Sequence, residues 1–236
     1  MSLVVQANHI TKYYGESKAL SDFSLSIEEG QCFALLGKNG AGKTTFVKSL
    51  LNLVSYEQGD LKLFGKEVTD KESREQVSYL PEKFNFYPYY SLKGVCEFYG
   101  KMKGLSGDEL KNQVGLALER LSLNGLENKK VKDCSKGQLQ RVGLASMLVG
   151  DSKLLILDEP HSGLDPIGIK DVQQLILDLQ KEGKTIFINS HGLDSVEKVC
   201  DHIAIIDHGE GKVQGHLKTL IGSSTLLDYF YEKVQK

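Results

Sequence analysis

The chain has 236 residues, 40% of them hydrophobic and 25% charged, which is enough to bury a core of its own and ordinary for a globular protein. Lys plus Arg total 29 against 31 Asp plus Glu, a formal net charge of −2, which excludes the broad positive field that a basic nucleic-acid-binding module needs. No apolar run approaches the ~20 residues required to cross a bilayer, and the first residues lack the basic start and long apolar stretch of a secretory signal.

Residues 1–36 read as short strands and a turn. Phe23, Leu25 and Ile27 alternate with Ser24 and Ser26, and residues 32–36 form a buried apolar run that stops at Gly37. Phe46, Val47, Leu50, Leu51 and Val54 then recur at helical spacing over residues 44–54, so 37–45 is a strand-to-helix junction. The middle differs in character. Segments 91–103, 108–121 and 138–149 read as helices with no convincing strand between them, a helical subdomain that begins near Pro81 and ends near Gly150. Residues 154–157 and 185–189 are short buried strands separated by a helix over 168–180, with Ile169, Val172, Leu175, Ile176 and Leu179 on one face. That order predicts a parallel sheet with crossover helices. A hairpin joins 203–207 to Val213, with its turn in 209–212, and 224–236 reads as a last short helix.

The strongest chemical signal is Gly37-Lys38-Asn39-Gly40-Ala41-Gly42-Lys43-Thr44, which fits G-x-x-x-x-G-K-[ST] at the strand-to-helix junction the motif requires. Glycines let backbone N–H groups turn inward around phosphate oxygens, and the following helix N-terminus favours an anion. Gly37, Asn39, Gly40, Ala41, Gly42, Lys43, Thr44 and Thr45 are the expected phosphate contacts, with Lys43 on the β- and γ-phosphates and the Thr44 hydroxyl on Mg²⁺. A second element, Leu154-Leu155-Ile156-Leu157-Asp158-Glu159, is a buried strand ending in two carboxylates at the edge where α/β sheets bind ligands. Asp158 is expected to hold Mg²⁺ through water, and Glu159 to act as general base on the attacking water.

With these two motifs in place, the rest of the chain resembles the ATP-binding subunits of ABC transporters over nearly its whole length. That family's L-S-G-G-Q signature stands here as Cys134-Ser135-Lys136-Gly137-Gln138, before a helix beginning Leu139-Gln140-Arg141. The resemblance implies that Ser135, Gly137 and Gln138 meet the γ-phosphate of an ATP held by an opposite subunit in a head-to-tail dimer, as a homodimer or with another ATPase subunit. Ser162-Gly163-Leu164-Asp165 resembles the loop that crosses that interface, which puts Asp165 near nucleotide. His191, in Asn189-Ser190-His191 after the second strand, matches the family's switch histidine on the γ-phosphate. Tyr14, directly before Gly15, matches the aromatic that stacks on adenine, with Tyr13 as the competing candidate.

Several positions depart from the family pattern. Cys134 and Lys136 are unusual in the signature, and Lys136 is expected to point to solvent. Where the family usually places Gln, the sequence reads Tyr79-Leu80-Pro81-Glu82. Glu82 accepts hydrogen bonds or faces Mg²⁺ through water, but it cannot donate as an amide does. This variant resembles the ABC-2-type exporter branch. Five aromatics follow within residues 84–90, of which two or three are expected to pack inside the subunit while the rest form a docking groove for the membrane subunit.

Other features are read as incidental. Gly209-Glu210-Gly211-Lys212 imitates part of a phosphate loop without its full spacing, His202, His208 and His216 lack regular metal-ligand spacing, and Lys129, Lys130 and Lys132 read as a solvated surface. Cys32, Cys96, Cys134 and Cys200 lie far apart with no C-x-x-C pair, which reads as reduced thiols in a cytosolic protein.

The fold expected is thus α/β, a P-loop NTPase core with a mixed sheet and an inserted α-helical subdomain. It forms a single domain over 1–236, with a core from 1–80 and 151–222, a helical subdomain over 81–150 and a C-terminal helix over 223–236. The function implied is hydrolysis of Mg-ATP to drive a separate transmembrane permease of ABC-2 type, by a subunit peripheral on the cytoplasmic face of the membrane and without nucleic acid. The alternative is an ABC-type ATP-dependent switch acting on a non-transport protein.

Overall fold

A computed structural model describes residues 2–234. In chain order the elements are β1 (Leu3–Tyr14), β2 (Ser17–Glu28), β3 (Cys32–Leu36), α1 (Lys43–Leu50), β4 (Gln58–Leu63), β5 (Lys66–Glu67) and β6 (Val77–Leu80). Three helices follow: α2 (Leu92–Met102), α3 (Gly107–Arg120) and α4 (Lys136–Leu148). The chain then runs through β7 (Leu154–Asp158), α5 (Pro166–Lys181), β8 (Thr185–Ser190), α6 (Leu193–Val199), β9 (His202–Asp207), β10 (Glu210–His216), α7 (Leu217–Ile221) and α8 (Leu226–Val234).

Two sheets form. One is antiparallel with order β2-β1-β4-β5, and the other has six strands in the order β10-β9-β3-β8-β7-β6. In the larger sheet β9, β3, β8, β7 and β6 run parallel, while β10 returns antiparallel to β9, so the sheet is mixed. Every residue of β3 is buried because both of its faces are covered. Phe33 and Leu35 face α1 and the antiparallel sheet, and Cys32, Ala34 and Leu36 share the other core with the helices α2 to α5. Phe46 of α1 fixes the first layer, with its ring 4.9 Å from Phe23 of the antiparallel sheet and 6.1 Å from Phe187 of β8. Its truncation to Ala would cost about 3–5 kcal/mol and loosen the helix that opens the phosphate site.

The long hairpin β1–β2 differs from the short strands expected of residues 1–36. Its register shifts at several points, and His9 and Asp22 sit at positive φ of 56° and 53°, so bulges break the alternation that a strand shows in sequence. Helix α1 stops at Leu50, four residues before the end of its apolar pattern, because Asn52 turns left-handed at φ 54°. In the last hairpin the turn is His208-Gly209, and Glu210, Gly211 and Lys212 belong to β10 rather than to the turn. The last helix lies at 226–234; Ser224 and Thr225, expected to open it, precede it outside the helix, and 235–236 fall outside the described residues. Among the described residues no helix is long and apolar enough to cross a membrane.

Candidate nucleotide site

Parallel β3 and β7 deliver their C-terminal ends side by side with β8 between them, and this places the phosphate loop against the acidic strand end. The loop's shape depends on two glycines that lack room for a side chain. A Cβ on Gly37 would collide with the Ile206 carbonyl, and one on Gly42, at φ 111°, would lie 2.5 Å from the Ala19 carbonyl. Gly42 precedes α1, which has no side-chain cap, so the first-turn amides are left for an anion.

A cleft of about 310 Å³ is lined by Asn39, Gly40, Ala41, Gly42, Lys43, Thr44 and Thr45 together with Glu82, Asp158, Glu159, Asn189 and His191. The Lys43 ammonium folds back onto its own loop, donating to the Gly37 carbonyl at 2.7 Å and the Lys38 carbonyl at 3.2 Å. Burial pushes the Lys43 pKa down, against the opposing pull of Glu159, Asp158 and Glu82. Burial pushes the Asp158 carboxyl up to about 6, helped by the neighbouring Glu159 charge. Three carboxylates share the cleft with one buried ammonium and leave unneutralised negative charge. Among the described residues no three His, Cys, Asp or Glu side chains close on one point, so a hard divalent cation here would rest on one or two carboxylates together with the phosphates, as Mg²⁺ does.

Glu159 lies just past the strand at a positive φ of 49°, an uncommon backbone for a residue with a side chain. Its Oε1 accepts from the His191 backbone N–H at 2.9 Å and contacts His191 Nδ1 at 2.6 Å, and its Oε2 accepts from the Ser190 hydroxyl at 3.0 Å. Asn189, directly opposite Asp158 in the parallel register, donates from Nδ2 to Asp158 Oδ1 at 2.7 Å. The sequence reading assigned no role to Asn189 or Ser190. Their signal is the register itself, since residues that follow the same strand count in β7 and β8 arrive at the same level.

The signature residues lie elsewhere on the chain. Ser135 caps α4, accepting from Gln138 N–H at 3.2 Å, while Gln138 Oε1 accepts from Ser135 N–H at 3.1 Å, a reciprocal capping box. Ser135, Gly137, Gln138 and Asp165 line a second recess of about 380 Å³ with no residue in common with the phosphate cleft. Asp165 caps α5 through Gly168 N–H at 2.7 Å. Lys136 is exposed as expected, although its stem lies over Gly163. Lys129 departs from the solvated run, since it is half-buried and donates to Gln138 Oε1 at 2.8 Å. Tyr14 is 50% exposed at the end of β1, with the Lys12 ammonium 5.3 Å from its ring centroid, and is not among the residues lining the phosphate cleft.

Of the five aromatics in 84–90, Phe84 and Phe86 pack partly buried on the core, and Tyr87, Tyr89 and Tyr90 are exposed. Phe86, Tyr87, Tyr90, Phe98 and Tyr99 line a groove of about 270 Å³. Cys32 and Cys200, distant in sequence, meet with sulfurs 3.6 Å apart as buried free thiols.

A phosphate loop opening a helix beside a carboxylate-tipped parallel strand defines an α/β nucleotide-binding protein. A family model described as "ABC transporter" matches residues 20–162. An ABC transporter ATP-binding protein of Synechocystis is 38% identical over 99% of this chain and 67% of its own length. Nod factor export ATP-binding protein I of Cupriavidus metallidurans is 33% identical over 94% of this chain and 74% of its own length. Among solved structures, an ATP binding subunit of an ABC transporter superposes with a TM-score of 0.90 at 26% identity, covering 98% of this chain and 99% of that one. The structure of cbiO1 from Clostridium perfringens, part of the ABC transporter complex cbiONQ, gives a TM-score of 0.85 at 27% identity over 100% of this chain and 97% of that one. The chain belongs to the ABC transporter family and is an ATP-binding subunit of it.

Proposed function

We propose that this subunit hydrolyses ATP at the interface of a head-to-tail dimer and so drives a transmembrane permease. The observation that carries the reading is the convergence of Lys43, Glu82, Asp158, Glu159 and His191 on one cleft around the first turn of α1. Gly37, Asn39, Gly40, Ala41, Gly42, Thr44 and Thr45 would hold the phosphates through backbone N–H groups, and Lys43 would leave its own loop carbonyls for the β- and γ-phosphates. Thr44 and Asp158 would hold Mg²⁺, with Glu82 facing it through water, and the ion when bound neutralises charge on the phosphates. Asn189 orients Asp158 for that task.

Glu159 takes a proton from water as general base, held in place by Ser190 and the His191 backbone N–H. His191 steadies the same carboxylate through Nδ1 and turns its other ring nitrogen to the γ-phosphate. Ser135, Gly137 and Gln138, with Asp165 beside them, would meet the nucleotide of a second copy or of a related ATPase subunit. Tyr14 would stack on the adenine from the edge of the antiparallel sheet. In this division 1–80 and 151–222 bind nucleotide, 81–150 carries the signature, and 223–236 ends the domain.

The permease partner follows from the family, and export by an ABC-2-type partner is supported by Glu82 and by the Nod factor export relatives. The aromatic groove is the surface offered to it, uncharged among its lining residues. The subunit would then sit peripherally on the cytoplasmic face of the membrane. Purification from detergent-solubilised membranes tests this. A multi-span protein should accompany the chain, and its consistent absence favours the switch reading instead.

A further inference from the structure

Lys103 follows α2 and reaches away from the nucleotide cleft. Its ammonium donates to the Val149 carbonyl at 2.7 Å, the Ser78 hydroxyl at 2.7 Å and the Ser152 hydroxyl at 3.0 Å, with the Met147 carbonyl sharing one of these three donors at 3.3 Å. Val149 and Met147 are the C-terminal end of α4, a helix with no basic residue of its own in the last turn. Lys103 therefore supplies the cation that a helix C-terminus favours. Ser78 lies in β6, which leads to Glu82, and Ser152 leads into β7, which ends at Asp158. One ammonium thus joins the far end of the signature helix to both strands that carry acidic residues into the phosphate cleft.

Space is kept for this side chain. A Cβ on Gly150, which has a φ of 87°, would lie 2.6 Å from Lys103 Cδ. Among the described residues no carboxylate accepts from the ammonium, and burial together with the nearby Lys184 charge lowers its pKa to about 8. Lys184 itself pairs with Asp151 at 2.5 Å, and the adjoining recess holds the Arg120–Glu182 pair, so the charged groups around Lys103 are accounted for. The other end of α4 is anchored independently, with Gln140 donating to the Pro160 carbonyl, next to Glu159, at 3.0 Å.

We infer that Lys103 is a positioning residue for ATP turnover. It sets the attitude of the signature helix relative to the phosphate cleft, so that Ser135 meets the nucleotide of a second copy. The inference rests on the shared-site reading proposed above. A half-buried three-donor ammonium is suited to the task because it binds a helix end, β6 and the lead-in to β7 at once, and loses one donor and its charge when neutral.

The test compares Lys103→Met and Lys103→Arg with the parent chain, each also carrying Glu159→Gln for the binding assays. Fluorescent ATP-analogue affinity of the monomer should stay within about twofold, because the phosphate loop is not touched. ATP-driven dimerisation by light scattering, and turnover in the Glu159 background, should fall about tenfold or more in Lys103→Met and recover largely in Lys103→Arg. Unchanged dimerisation, or an equal loss of monomer affinity, overturns the inference. A parent that itself fails to dimerise or hydrolyse ATP refutes the shared-site reading instead. Should Lys103→Met not fold, the pH profile decides. Between pH 7 and 9.5 the parent should lose ATP-driven dimer as Lys103 gives up its proton, and Lys103→Arg should not; parallel profiles reject the role.

Discussion

Glu159 and His191 are joined twice, through the backbone N–H at 2.9 Å and through Nδ1 at 2.6 Å, both on the same carboxylate oxygen. The histidine is 67% exposed at its side chain and the glutamate 14%, so the base is sheltered and its partner faces outward. An ionised carboxylate only accepts, so the 2.6 Å contact is a hydrogen bond in the tautomer that carries its proton on Nδ1.

Glu159→Gln removes the base while keeping the hydrogen-bonding shape. The variant should bind ATP within a few-fold of the parent, lose at least about a hundredfold in hydrolysis, and collect as an ATP-bound dimer. Gel filtration with ATP and a phosphate-release assay measure both. Near-parental turnover would falsify the assignment of the base.

Asp158 keeps its proton up to pH about 6 in the folded chain, whereas a free Asp releases it near ~3.9. Between those values the folded state binds more protons than the unfolded state, so the stability held at low pH is lost as pH rises through 6. Asp158→Asn carries no such charge. Without nucleotide or metal, its stability relative to the parent should improve by about 2 kcal/mol on going from pH 4 to pH 7.5. Urea unfolding at the two pH values reads this directly, and a constant difference between variant and parent refutes it.

Glu82→Gln restores the amide that the family usually carries at this loop. Because Glu82 is exposed and lies at the rim of the cleft, ATP affinity should change by less than about threefold. A collapse in affinity, read by isothermal titration with Mg-ATP, would show that the carboxylate is a direct ligand.

Gly42→Ala places a methyl group against the Ala19 carbonyl at a φ of 111°. A loss of about 2 kcal/mol or more in stability is expected from strain and overpacking together, with ATP binding abolished. Thermal unfolding with and without ATP checks it. A variant with parental Tm that still gains stability from ATP would mean that the loop adapts.

Much of this site could be read from the sequence because its chemistry is contiguous. Gly37 to Thr44 and Leu154 to Glu159 each carry motif, strand and ligand in one short stretch. What escaped is held by contacts between distant segments. Asn189 acquires a role only when β8 pairs with β7, Lys129 only when its loop folds back on Gln138, and Lys103 only where α4 ends. The fold followed the same division. β3, β7 and β8 are apolar runs because both faces are covered, whereas β1 and β2 lose their alternation at left-handed bulges at His9 and Asp22.

The phosphate cleft and the signature recess share no lining residue. If each working site takes one of them from each of two chains, specific activity depends on protein concentration. Dilution silences a free subunit that is still folded and able to hold ATP, and turnover grows with the square of concentration while dimers are scarce. Two subunits tethered to one permease instead meet at a fixed effective concentration, so a membrane partner would raise the rate by proximity alone. Consumption of ATP would then be confined to assembled transporters by mass action, without a dedicated inhibitor.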